Sequence, residues 1–191
     1  MKLKTTLIIG SLILAGCATP KVSYVDPNAT NTLTTNFTQN DLRATAQDMA
    51  TQLIQTGKIN SCASYTISPV KNSTDQYVDT SVMTNAMADK LSNSTAVKST
   101  YVLSKDEMGN QMDELGRQNQ SGLYDQSTTA KTGKMRGAQC RIDGKLTSDT
   151  SVGTDGKTKL VAYTFFVQVF NVQQGAAIWR NSKNISKGLS Y

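Results

Sequence analysis

The side chains that could do chemistry in this 191-residue chain are few, and one class is missing altogether: there is no histidine. That removes the usual general base and the commonest metal ligand. Serines are plentiful, but none sits in G-x-S-x-G or S-x-x-K with the partners such a nucleophile needs. Asp106 and Glu107, like Asp113 and Glu114, are adjacent in sequence. Neighbours on a helix point about 100° apart, so each pair reads as a solvated face and not as an acid–base couple. No phosphate-cradling or dinucleotide glycine pattern occurs, and Asp149 and Asp155 lack the spacing of a calcium loop. The seven methionines lie mostly at helical core spacing, which favours packing over a metal stripe. The expectation is a protein without catalytic groups, metal or cofactor. Three cysteines remain, Cys17, Cys62 and Cys140.

Cys17 closes a short apolar run. Lys2 and Lys4 precede it, and Thr5 to Leu14 is apolar. A membrane-spanning helix needs about 20 such residues, twice this length, so the run reads as a secretory signal. Its end, Leu14-Ala15-Gly16-Cys17, resembles a bacterial lipobox. That resemblance implies removal of residues 1–16, a diacylglyceryl group on the Cys17 thiol, and a further acyl chain such as palmitate on the new N-terminus. The alternative is an ordinary signal peptide that happens to contain a cysteine. Two or three acyl chains would anchor the protein firmly, at about 0.8 kcal/mol per buried methylene. Ala18 stands where the usual inner-membrane retention signal has aspartate. By resemblance to known sorting rules, this implies the outer membrane with the protein facing the periplasm.

The net charge is +6, and two of the lysines leave with the leader. The remaining balance is mild and has no basic stripe interleaved with aromatics, so nucleic acid is not an expected partner. In an oxidising compartment, Cys62 and Cys140 suggest one disulfide. Two separate buried thiols are the alternative.

The rest of the chain must position whatever partner surface exists. Residues 17–38 are rich in Thr, Asn and Ser and read as a disordered tether. Residues 39–191 read as one domain. Leu42, Ala46, Met49, Ala50 and Leu53 form a helical stripe, with Asn40 or Asp41 as cap and Gly57 as terminator. Tyr65, Ile67 and Val70 are strand-like, and Pro69 marks a strand end or an edge. A second helix runs from Asp79 to Ser92, and Tyr101 to Leu103 is a short strand. Ser104 to Glu107 is a capping box opening a third helix with Met108, Met112 and Leu115. A weak helix is expected over 127–136. Then the period changes to two. Cys140, Ile142 and Leu146 alternate, and Asp155-Gly156 suits a hairpin. Val161, Tyr163, Phe165, Val167 and Val169 line one side of a strand whose other side carries Phe166 and Phe170, which predicts a central strand. A last strand follows Gly175. This order predicts an α/β fold: a small mixed β-sheet with helices on its faces, ending in an antiparallel meander and preceded by the tether.

The lipobox with its tether, the SYTISPVKN stretch, Gly137-Ala138 before a strand, and NVQQGAAIW from Asn171 to Trp179 together resemble the LpoB family. This family comprises outer-membrane lipoproteins that activate a bifunctional penicillin-binding protein, within a wider group that includes CsgG-like and TolB N-terminal-like domains. The resemblance covers about residues 41–188, and its most specific part is the hairpin. Gln174 and Ala176 stand where Thr and Glu are common, and the tether has only Pro20 and Pro27. The resemblance implies a partner, the periplasmic domain of a peptidoglycan synthase, and hence a role in peptidoglycan synthesis and cell shape. It also implies that Cys62 and Cys140 sit at the same end of neighbouring parallel strands, close enough to bridge. Lys71, Lys131, Lys134 and Arg136 are the candidate contacts, with ordinary solubilising charge as the alternative. A structural or secretion-related envelope lipoprotein is the competing reading.

Overall fold

A computed structural model of the protein describes residues 34–190. The signal peptide, Cys17 and most of the expected tether lie outside the described residues.

Helix α1 (Gln39–Thr56) opens on a capping box: the Asp41 N–H donates to the Thr38 hydroxyl oxygen, and the Thr38 N–H donates to the Asp41 carboxylate. The cap is therefore Thr38, two or three residues earlier than Asn40 or Asp41 would place it. The helix ends at Gly57, as its sequence suggests, and buries Leu42, Ala46, Met49, Ala50 and Leu53. A 3-10 turn (Lys58–Ser61) leads to β1 (Ser64–Ile67). Pro69 then breaks the strand, and a short β2 (Lys71–Ser73) resumes beyond it, an element the sequence reading did not resolve. Helix α2 (Ser81–Ser92) buries Met83, Ala86, Met87 and Leu91. After it come β3 (Thr100–Tyr101), α3 (Met108–Gln120), β4 (Cys140–Val152), β5 (Thr158–Asn171) and β6 (Ala176–Ser190).

The strands form one six-stranded mixed sheet in the order β3-β1-β4-β5-β6, with β2 pairing to β4 beyond the end of β1. Strands β3, β1 and β4 are parallel, as crossovers through helices require. Strands β4, β5 and β6 form the antiparallel meander. In the registers, Ile142, Val169 and Trp179 share one row, and Leu146, Phe165 and Lys183 another. This face meets α1 and α2 around a single apolar core.

Three expectations need correction. The stretch 127–136 contains no helix; it belongs to an irregular connection between α3 and β4. In α3 the Met108, Met112 and Leu115 stripe is not core, because no residue of that helix is buried and Met112 is 59% exposed. The helix stands beside the short β3 edge, where no second layer covers it. The Ser104–Glu107 box is half formed and precedes the helix by a turn: the Glu107 carboxylate accepts the Ser104 N–H at 2.8 Å, and the helix proper starts at Met108.

The packed domain also reaches further back than residue 39. Phe37 is buried and stacks on Tyr163 with ring centroids 4.7 Å apart. The side-chain amide of Gln76 accepts the Phe37 N–H and donates to the Phe37 carbonyl, as a strand neighbour would. The Tyr163 hydroxyl donates to the Thr35 carbonyl. The chain thus enters the domain on the helix-bearing face.

Candidate functional site

Candidate contacts are placed by three local devices: the α3–β4 connection, the end of the β1–β4 parallel pair, and the face of the sheet that no helix covers.

The connection, residues 121–139, is long for a compact domain. It is nonetheless anchored. The Asn119 side-chain amide donates to the Ala130 carbonyl at 2.9 Å, and Gln126 donates to the Gln118 carbonyl at 3.1 Å. At its far end the Ser64 hydroxyl donates to the Gly137 carbonyl at 2.7 Å. Lys131 is turned onto its own loop, donating to the Gln126 carbonyl and the Thr129 hydroxyl. Arg136 reaches across to the Thr100 hydroxyl on β3 at 3.0 Å. Lys134 makes no ion pair among the described residues. Leu103, Met112 and Met135 are exposed around the same edge.

Nearby, the Tyr101 hydroxyl donates to the Glu107 carboxylate. Burial, reinforced by that carboxylate, pushes the Tyr101 hydroxyl above its ordinary range. Burial alone would raise Glu107 too, but the bonds from the Ser104 N–H and the Tyr101 hydroxyl outweigh it and leave Glu107 below the usual carboxylate range. This cluster holds a turn together.

Lys71 is not part of that group. It lies on β2, opposite Lys145 of β4, five strand positions beyond Cys140 and so roughly 17 Å along the sheet. The structure therefore divides the four candidate cations between two separate surfaces.

Cys62 and Cys140 are both buried and joined in a disulfide, with Cα atoms 5.9 Å apart. Tyr65 pairs with Cys140 in the parallel register, so the bond ties the entry of β1 to the first residue of β4.

The uncovered face was not visible as a site in the sequence. In β5 the residues facing α1 and α2 are buried, and their alternates are half-buried. Strand β5 is internal, flanked by β4 and β6, yet among the described residues no second layer covers Phe166 and Phe170, and Val172 is 54% exposed. Arg141 lies over the Phe170 ring, 5.8 Å from its centroid, and pairs with Asp143 at 2.8 Å. The signal that could have exposed this face was its charge. Arg141, Asp143, Lys145 and Arg180 take the alternate positions that a sheet buried on both faces would fill with apolar groups.

The hairpin that carries the sequence resemblance works through its backbone. The Gly175 N–H donates to the Asn171 carbonyl at 2.9 Å, and the Gln174 N–H to the Asn171 side chain at 3.0 Å. Gly175 has φ 65°, the left-handed region. Gln174 and Ala176 are exposed, so the turn does not depend on their side chains.

Among the described residues, no three cysteine or carboxylate side chains converge as a metal site would need, and no helix is long and apolar enough to cross a membrane.

No curated protein sequence matches this chain. Among solved structures, the chain is similar to the LpoB C-terminal domain from Escherichia coli at 18% identity, over 76% of this chain and 98% of that one, with a TM-score of 0.46. It is similar to the same domain from Salmonella enterica at 18% identity over the same shares, with a TM-score of 0.44. Lipoprotein GNA1162 from Neisseria meningitidis matches at 16% identity over 66% of this chain and 83% of that one, with a TM-score of 0.41. The family model described as peptidoglycan-synthase activator LpoB matches residues 41–185, which span α1 through most of β6. The chain belongs to the LpoB family of peptidoglycan-synthase activators.

Proposed function

We propose that this protein is an outer-membrane lipoprotein, attached through acylated Cys17, whose periplasmic domain binds a bifunctional penicillin-binding protein and raises its rate of peptidoglycan synthesis. The observation that carries this reading is the family match across residues 41–185. The lack of histidine agrees with it, since an activator needs no base of its own.

The mechanism is differential binding. An activator that prefers the productive conformation of its synthase shifts the population toward it, and only the difference in affinity counts. Each tenfold preference corresponds to about 1.4 kcal/mol. From Cys17 to Thr34 the chain extends at most about 60 Å, so the synthase must come within that length plus the breadth of the folded domain from the anchor.

The test is a reconstitution. The full chain is added to a purified bifunctional synthase from the same envelope, and glycan polymerisation and cross-linking are followed. Both rates should rise and saturate; unchanged rates at saturating lipoprotein overturn the reading. Mass spectrometry of the mature N-terminus should find an acylated Cys17, and a free cysteine or another start removes the anchor.

A further inference from the structure

The lysine ion pairs among the described residues lie on one face of the sheet. On the face packed against α1, Lys183 pairs with Asp48 at 3.0 Å and Lys187 with Asp41 at 2.5 Å. On the open face, Lys71, Lys145 and Arg180 have no ion pair among the described residues. Lys71 and Lys145 even stand directly opposite one another across the β2–β4 ladder. Like charges in that relation destabilise a sheet.

The registers gather these groups around two rings. Lys145 is opposite Phe166, and in the next row Asp143, Gln168 and Arg180 lie side by side. Beyond that row, Arg141 covers Phe170. Arg141 also occupies Asp143, so that carboxylate is not available to the other cations. Asp149, four positions along β4 from Lys145, is the remaining acid on this face.

We infer that this open face is the docking surface for an acidic patch of a partner protein, centred on Lys145, Phe166 and Arg180 with Lys71 at its margin. Three observations select that occupant. The unpaired charge is positive and calls for carboxylates. Phe166, Phe170, Arg141 and Arg180 sit in neighbouring rows of this face, and aromatic and arginine side chains are enriched in protein interface cores. Thr35 and Phe37 pack against Tyr163 on the opposite face, so none of the described residues at the domain's entry covers this one. The inference rests on the synthase reading and names the contact surface for it.

The experiment uses the full chain and the purified synthase. Lys145→Glu with Arg180→Glu should weaken binding by about tenfold or more, as reversal of interface charge does, while circular dichroism stays close to wild type and the melting temperature does not fall. Lys145→Gln is the second variant. It relieves the repulsion from Lys71, so it should raise the melting temperature and still weaken binding. If wild type neither binds nor stimulates the synthase, the function itself fails and this inference with it. If wild type binds and both variants bind equally well, the function stands and the surface is wrong. If the variants keep the synthase but lose binding to isolated peptidoglycan sacculi, the occupant is an anionic glycan and the inference is overturned.

Discussion

Lys187 Nζ lies 2.5 Å from the Asp41 carboxylate, and the two side chains are only 13% and 11% exposed. The same ammonium donates to the Asn36 carbonyl at 2.9 Å. Asp41 is also the capping carboxylate of α1, so one acid starts the helix and fastens it to the edge strand β6. Two and three turns further along, Asp48 meets Lys183 and Gln52 meets Asn181. Seven helical residues advance about 10.5 Å and four strand residues about 13 Å. A slight crossing angle therefore lets the helix and strand match contact for contact.

Replacing Asp41 with Asn should remove the pair, weaken the cap and leave Lys187 without its counter-charge. The expected cost is about 3 kcal/mol, the lower end for breaking a buried pair, read by urea denaturation at pH 7. The pH dependence has a definite sign. Burial raises the Asp41 pKa, but Lys187 and Thr38 outweigh it and leave it depressed. Its contribution is therefore complete above the unfolded value of about 3.9 and is lost as pH falls through the lower folded value. The gap between wild type and Asp41→Asn should close in that acid range. A gap that persists unchanged to pH 2 would show that the charge is not what matters.

This ladder explains how much of the fold was legible. The α1 stripe could be read because a helix against a sheet hides one face, and its period shows in Leu42, Ala46, Met49 and Leu53. The same logic failed for α3. Met108, Met112 and Leu115 have the right spacing, but spacing does not say whether a second layer exists to cover them. Phe37 was missed for the converse reason: a single aromatic among Thr and Asn has no period, and its burial depends on Gln76 and Tyr163, which are remote in sequence. The four candidate cations could be named by type, but nothing local separates Lys71 from the loop that holds Arg136. That division follows only from the pairing of β2 with β4.

Gly144 lies where the core leaves no room for a side chain. A Cβ there would lie 2.8 Å from Val70 Cγ2 and 3.1 Å from Phe165 Cε2. Neither neighbour can swing away freely, because Val70 and Phe165 are both buried. Gly144→Ala should cost about 1–3 kcal/mol, the usual penalty for overpacking. The urea midpoint should fall accordingly, and an unchanged midpoint would show that β2 yields without cost.

The Cys62–Cys140 bridge closes a separation of 78 residues. For a loop of that size, the constraint on the unfolded chain is worth about 4 kcal/mol in the entropic model, less any native strain. The Cys62→Ser/Cys140→Ser variant should therefore melt well below the oxidised protein. Wild type unfolded in the presence of reductant should lose a similar amount. If the reductant leaves wild-type stability unchanged, the two sulfurs are not bonded in the protein.

The β5–β6 hairpin separates backbone demands from side-chain identity. Gly175 occupies the left-handed region, where a Cβ costs roughly 1–2 kcal/mol, yet there is open space around it. Gly175→Ala should be destabilising by that amount through conformation alone. Gln174 contributes only its N–H to Asn171, so Gln174→Thr should stay within about 0.5 kcal/mol of wild type, as exposed substitutions do. Asn171→Ala should fall between them, because it removes the acceptor for the Gln174 N–H while keeping the Asn171 carbonyl that receives Gly175. Equilibrium denaturation of the three variants tests that order. A large loss from Gln174→Thr would mean that its side chain, and not the backbone of the turn, holds β5 against β6.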